Sequence, residues 1–212
     1  DLLESRGLGD VYKRQLVRRG SLKRGETLLV HGSTGGVGMA AVQLGKYLGA
    51  KVIATGTSEE KLKFTLDWGA DHTVLTHKNN VVEFREEVKE LTEGKGADVI
   101  YDPVGGDVFD HSIRCINWGG RLLIVGFASG RIPQLPINMA LIKGFSVIGV
   151  RAGEYGRKDP IGGMENNQAI REICEKGHFD PHICKTFPLE EAKGAIQFLS
   201  KRKLIGKVII KN

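Results

Sequence analysis

Apolar residues fall into two kinds of run along this chain. Short continuous runs at 27–31, 51–54, 72–75, 97–101, 121–125 and 145–150 predict strands covered on both faces. Between them apolar positions recur at helical spacing: Val37, Ala40, Ala41, Leu44 and Leu48; Leu62 and Leu66; Val81, Phe84, Val88 and Leu91; and a further helix over 108–115. Gly49, Gly69 and Gly94 stand where helices stop, and Glu59 and Glu60 put acidic charge at one helix start. Strands alternating with helices at this pitch imply right-handed βαβ units. They predict an α/β fold with a doubly wound, parallel, six-stranded sheet, the Rossmann arrangement that binds dinucleotides.

The two ends read differently. Residues 1–15, DLLESRGLGDVYKRQ, follow neither period; they read as translated adapter sequence or a disordered extension and are set apart as a leader. Residues 16–22 look like the tail of a helix. Beyond 151 the rhythm changes: a glycine-rich, charged loop over 153–163, a helix over 164–174 and an extended stretch at 183–187. An amphipathic helix follows on Leu189, Ala192, Ile196 and Leu199, then a closing strand at 207–210 with no evident neighbour in the first sheet. The organisation is therefore leader 1–15, dinucleotide-binding domain 16–150 and C-terminal segment 151–212.

Composition narrows the function classes. A hydrophobic content of 41% with 26% charged residues is that of a soluble globular protein, and no apolar run approaches the roughly 20 residues of a membrane span. The net charge of +6 is concentrated at one end: through Arg24 there are seven basic and three acidic residues, so this end supplies four of the six charges. No basic stripe interleaved with aromatics follows, which argues against nucleic acid. Cys115, Cys174 and Cys184 are scattered, which points to a reducing, cytoplasmic setting and no structural zinc.

The chemistry concentrates after the first strand. Gly32, Gly35, Gly36 and Gly38 lie between it and the first long helix, and Ser33, Thr34, Gly35, Gly36 and Val37 form the turn. A strand leading through glycines into a helix aims several backbone N–H groups and the positive end of the helix dipole at one spot, where a diphosphate fits. No Gly-Lys-Ser/Thr follows, so the turn is not a P-loop. NAD-binding versions of the fold carry an acid near the end of strand two; here Thr55, Gly56, Thr57 and Ser58 stand there, with no acid before Glu59. A 2′-phosphate is repelled by a carboxylate, so the gap favours NADPH. Ligands of such sheets lie beyond the carboxyl ends of the strands. The loops leaving strands four and five open there, with Val104 and Gly105 in one and Gly126, Phe127 and Ala128 in the other.

No side chain stands out as acid or base, and the catalytic residues stay unassigned. Asp102, beside Pro103, reads as a turn-former. His31, His72 and His111 lack partners at ligand spacing, and Pro181 between His178 and His182 argues against a metal-binding helix. Tyr47 and Lys51 have the spacing of a short-chain dehydrogenase pair but straddle a helix end and a strand.

The segments VHGSTGGVGMAAVQLGKYLGAKVIA, EEKLKFTLDWGAD, DVIYDPVGGDVFD, GGRLLIVGFASG and GKVII together resemble the zinc-independent medium-chain dehydrogenase/reductases, specifically the NADPH:quinone oxidoreductase (zeta-crystallin-like) family. The resemblance runs from Leu16 to Lys211. It implies a catalytic domain preceding this chain, toward which 151–212 would return, and hydride transfer to a quinone or a related activated carbonyl or alkene. It also implies Lys61 and Arg202 as contacts of the 2′-phosphate, the loops at Val104 and Phe127 beside the nicotinamide, and a homodimer through the edge strand 145–150. A tyrosine frequent in the family after strand three is replaced by Thr76, with His77 beside it. The alternatives are an enoyl-thioester or alkenal reductase using the same cofactor half, and a domain that binds NADPH without turnover.

Overall fold

The computed structural model describes residues 10–76, 81–151, 154–200 and 204–212. Strands β1 (Thr27–Val30), β2 (Lys51–Gly56), β3 (His72–Leu75), β4 (Ala97–Asp102), β5 (Ile116–Ile124) and β6 (Ser146–Gly149) form one sheet in the order β3-β2-β1-β4-β5-β6, with every pairing parallel. Helices α1 (Gly36–Tyr47), α2 (Glu59–Asp67), α3 (Val81–Leu91) and α4 (Gly106–Cys115) connect the first five strands. The chain works outward from β1 to β3, then crosses back to start β4 on the other side of β1. The sheet's switch point therefore lies between β1 and β4.

The strands are apolar throughout because both faces are covered. Leu28 and Val30 point into a layer with Leu16, Ala40, Ala41 and Leu44, while Leu29 points the opposite way to Ile53, Phe84, Ile100 and Ile113. Each fully buried residue of this size contributes roughly 1.5–3 kcal/mol. Between β1 and α1 the packing is tight enough that a Cβ on Gly45 would lie 2.4 Å from Leu28 Cδ2.

Several elements differ from the pattern-based expectation. Residues 10–15, set aside as leader, belong to a π-helix, Asp10–Arg19, whose i→i+5 geometry leaves no 3.6-residue period to read. Val11 is buried there, and Gln15 donates to the Val150 carbonyl at 2.8 Å while accepting from the Tyr101 hydroxyl at 2.6 Å. β5 starts at Ile116 rather than 121; its register shifts where Asn117 to Gly120 bulge, and that glycine pair reads as a turn in sequence. A helix not expected at all, α5 (Ile137–Lys143), follows Pro136; Met139 and Ala140 are half-buried against the core while Ile137, Leu141 and Ile142 are exposed, so no single apolar stripe marks it in the sequence.

In the C-terminal part, α6 (Tyr155–Lys158) and α7 (Pro160–Glu175) occupy most of the expected loop, with the Asp159 side chain capping α7 through Gly162 N–H at 2.8 Å. β7 (Ile183–Pro188), a 3₁₀ turn at Leu189–Glu191, α8 (Ala192–Ser200) and β8 (Lys207–Lys211) complete the chain. The closing strand has a partner within the chain: β8 pairs in parallel with β7 in a separate two-stranded sheet. The residue before it, Gly206, forms a parallel bridge with Gly35 of the first domain.

Candidate cofactor site

At the end of β1 the His31 N–H donates to the Tyr101 carbonyl at 3.0 Å, and Gly32 then turns with φ +56°. A Cβ on Gly32 would lie 3.3 Å from Val104 Cγ2, so the absence of a side chain lets the loop after β4 close on the turn. Gly38 is the tightest point: its Cβ would fall 2.3 Å from the Gly32 carbonyl oxygen and 2.6 Å from Ser33 Cα. Gly35 caps α1 with extended backbone (φ −84°, ψ 165°), no side chain caps the helix, and no acidic residue lies in its first turn. The first-turn amides of a helix have no intrahelical partner, so this is an uncapped positive end on the switch-point side of the sheet. The cradle left by the glycines and the lack of a capping side chain fit a dinucleotide diphosphate.

The expected contacts divide once placed. Ser33, expected to face a ligand, is turned inward: it is fully buried, and both its N–H (3.0 Å) and its hydroxyl (2.9 Å) donate to the Thr55 carbonyl. It fixes the turn to β2. Thr34, Gly35 and Gly36 are partly accessible and Val37 is exposed. Thr34 Cγ2 lies 3.8 Å from an ideal Cβ at Gly56, which brings the glycine turn beside the end of β2. There Thr57 is exposed, and Ser58 caps α2 by accepting from the Lys61 N–H at 3.4 Å. The Lys61 ammonium donates to the Leu204 carbonyl at 3.3 Å. Arg202 and His77 lie outside the described residues.

The two loops beyond β4 and β5 are bonded to each other and to Asp102. Asp102 Oδ1 accepts from the N–H groups of Val104 (2.8 Å) and Gly105 (2.9 Å), an Asx-type turn, as expected of a turn-former. Those two amides are therefore committed, and so are the N–H groups of Ala128 and Ser129, which donate to the Pro103 and Val104 carbonyls at 3.0 Å each. These loops expose the ring of Phe127 and leave Val104, beside the Gly32 turn, half-buried. Burial pushes the Asp102 carboxyl above the ordinary carboxylate range, against the lowering effect of the two amides. Gly105 is left-handed (φ +66°) and its Cβ would lie 2.9 Å from Phe127 Cδ1, so glycine is needed for the two loops to meet.

His31, isolated in sequence, is a buried hub: Nδ1 is 2.8 Å from Thr55 Oγ1 and Nε2 is 2.7 Å from Ser112 Oγ. Of the other residues weighed for chemistry, the Lys51 ammonium donates to the Leu91 carbonyl at 2.7 Å, with Tyr47 closing α1. His178 packs on Tyr47, and His182 on Phe64 and Trp68. Among the described residues no group of three or more His, Cys, Asp or Glu is placed to hold a metal ion. Two surface concavities lie away from the turn. One of about 490 Å³ is lined by Lys46, Trp68 and His178 among others, and one of about 660 Å³ by Arg114, Arg131 and Leu135 among others.

A doubly wound parallel sheet with an uncapped glycine turn at its switch point is the arrangement of dinucleotide-binding domains, those of dehydrogenases among them. The profile of the family described as zinc-binding dehydrogenase matches residues 36–166. The chain is 39% identical over 197 residues to the quinone oxidoreductase-like protein 2 homolog of Nematostella vectensis, covering 92% of this chain and 53% of that protein. It is 30% identical to the 2-haloacrylate reductase of a Burkholderia species, covering 89% of this chain and 56% of that protein. Among solved structures, mycobacterial Rv1454c complexed with NADPH superposes with a TM-score of 0.86 at 28% identity, covering 97% of this chain and 63% of that one. The chain belongs to this family, on the quinone oxidoreductase branch of the medium-chain dehydrogenase/reductases. It spans about half the length of the curated relatives it matches.

Proposed function

We propose that this chain carries the NADPH-binding part of an oxidoreductase that delivers hydride to a quinone or a related activated carbonyl or alkene. The observation that carries the reading is the junction of the uncapped, acid-free N-terminus of α1 with the end of β2, where Thr57, Ser58 and Lys61 stand and the first carboxylates are Glu59 and Glu60. NADPH, when bound, supplies the hydride; the chain's residues bind and orient it. In this reading the amides of Gly36 and Val37 hold the diphosphate, and Thr57, Ser58 and the Lys61 ammonium receive the 2′-phosphate, with Arg202 assisting. The wall formed by Val104, Gly105, Gly126, Phe127 and Ala128 excludes water from one face of the nicotinamide. Because Asp102 and the loop carbonyls engage the amides of Val104, Gly105 and Ala128, that wall acts through shape rather than through hydrogen-bond donors.

A second reading, reduction of an activated acrylate or enoyl thioester, is favoured by the similarity to 2-haloacrylate reductase and to the acryloyl-coenzyme A reductases of Sulfurisphaera tokodaii and Metallosphaera sedula. Both readings use the same cofactor half. A domain that binds NADPH without turnover would share it too. We also propose a homodimer through the edge strand β6 and its flanking residues 145–150, and a cytoplasmic setting, supported by Cys115, Cys174 and Cys184 being free thiols. Among the described residues no helix is long and apolar enough to cross a membrane.

The cofactor assignment is tested by titrating the chain with NADPH and with NADH, then repeating with Lys61→Glu. Tighter NADPH binding is expected, weakened at least about tenfold in the variant with NADH affinity little changed. Equal affinity for the two nucleotides in the unmodified chain would overturn the 2′-phosphate assignment.

A further inference from the structure

Helix α7 ends in a Schellman motif. Gly177 is left-handed at φ +72°, its N–H donates to the Cys174 carbonyl at 2.9 Å, and the His178 N–H donates to the Ile173 carbonyl at 3.0 Å. The connector from there to β7 is pinned at several points. Phe179 is buried in the core. The buried side chain of Gln43, on α1, engages both backbone groups of Asp180, donating to its carbonyl at 2.8 Å and accepting from its N–H at 2.9 Å. The His182 N–H donates to Met39 Sδ at 3.2 Å. His178, Asp180 and His182 are thereby held along one side of the concavity of about 490 Å³, with the later part of α1 and the end of α2 on the other. A volume of this size is that of a small-molecule site, roughly 300–1,000 Å³.

The walls are aromatic and the charge is negative. The rings of Tyr47 and His178 have centroids 5.3 Å apart, and those of Trp68 and His182 lie 5.7 Å apart. Asp67 and Asp180 bring carboxylates to the same cavity, and among the described residues neither side chain has a hydrogen-bond or ion-pair partner. Lys46, the one lysine or arginine in the lining, has its ammonium 2.5 Å from the Asp71 carboxylate. The cavity thus carries an excess of negative charge on a chain whose net charge is +6. Carboxylates without a counter-ion beside the faces of an indole and a phenol attract a cation, and the attraction is greatest for one that loses little hydration on entering. These side chains are not placed to hold a metal ion, which leaves an organic cation. Because the connector is fixed by Gln43, Met39 and the buried Phe179, the rings need little ordering when a ligand arrives.

We propose that this cavity is a binding site for a small organic cation of the quaternary ammonium class, with Trp68 and Tyr47 facing the cation and Asp67 and Asp180 balancing its charge. The site stands on residues that the NADPH reading does not use.

The test is a ligand-observed NMR titration of the 212-residue chain with three probes of nearly one shape and different charge: choline, neutral 3,3-dimethylbutan-1-ol and anionic 3,3-dimethylbutanoate. Choline is expected to bind about tenfold tighter than the alcohol and to weaken as salt is raised, with the carboxylate weakest of the three. Asp67→Asn combined with Asp180→Asn, both at exposed positions, should bring choline down to the affinity of the alcohol while leaving the alcohol and NADPH unchanged. Trp68→Leu should weaken choline and the alcohol together; Trp68→Phe, which keeps a ring with a weaker face, replaces it if that variant melts early and should weaken choline more than the alcohol. Equal binding of choline and the alcohol, or tightest binding of the carboxylate, would overturn the cation assignment. Choline binding that survives the paired aspartate changes would lie elsewhere on the surface and overturn the site, and so would the absence of saturable choline binding. Each of these results leaves the NADPH reading standing.

Discussion

The Ser112 hydroxyl has one proton, and it is donated to the Val108 carbonyl at 2.7 Å, so its oxygen must accept from His31 Nε2–H. Nδ1 is then the acceptor and Thr55 the donor, which fixes the imidazole as the neutral Nε2–H tautomer. Burial pushes the His31 pKa down from 6.5 to about 3. On acidification the unfolded chain takes up this proton first, so the contribution of His31 is complete above the unfolded value of 6.5 and is lost as pH falls toward 3. The slope reaches about 1.4 kcal/mol per pH unit. His31→Leu is expected to lower stability at neutral pH by roughly 2 kcal/mol or more, since two buried hydroxyls lose their partner. The gap between variant and unmodified protein should narrow on going from about pH 7.5 to about pH 4.5, read from urea melts at each pH. Parallel declines would mean that another group carries the acid sensitivity. In sequence, His31 reads as structural for want of nearby ligands. Its partners were not legible, because Thr55 and Ser112 stand 24 and 81 residues away.

At the scale of elements, the glycine turn was legible because its signal is local: a strand, four glycines and a helix in succession. Gly38 shows that packing by itself requires a glycine in this turn. A methyl group there meets the Gly32 carbonyl and Ser33 Cα, both backbone, so the turn must open to admit it. Gly38→Ala is expected to destabilise by about 1–2 kcal/mol, overpacking outweighing the roughly 1 kcal/mol that alanine gains in a helix. NADPH binding should weaken in parallel. Gly156→Ala, in α6 with nothing within 4 Å of its Cβ, is the control and should be neutral or mildly stabilising. A urea midpoint for Gly38→Ala equal to that of the unmodified chain would show that the turn yields freely. The elements that escaped the sequence lack such local signals. α5 has apolar residues on both its inner and outer sides, the start of β5 is broken by the bulge at 117–120, and the π-helix follows a different period. The β8 partner and the bridge to Gly35 depend on residues far apart along the chain, so neither periodicity nor the closing GKVII could reveal that the return strand meets the glycine turn.

For the molecule as a whole, the sheet ends at β3 on one side and β6 on the other, and the two edges are not equally protected. β3 is mostly half-buried, with Val74 inside, whereas β6 is exposed at Ser146, Val147 and Gly149. The apolar surface continues past the strand. α5 leaves Ile137 74% and Leu141 84% exposed, and Trp118, 75% exposed, packs its ring within 3.6 Å of an ideal Cβ on Gly144, the residue at the end of α5. An unpaired edge beside such a patch invites association, and in the homodimer proposed above β6 would pair with β6 of a second copy about a two-fold axis. Light scattering after size exclusion at micromolar concentration is expected to give twice the chain mass of 23.2 kDa. Val147→Lys combined with Leu141→Lys should return it to a monomer, because two copies of each ammonium would be brought together at the seam. NADPH affinity should survive the change, since neither residue borders the glycine turn. A monomer from the unmodified chain would show that these exposed residues do not drive self-association.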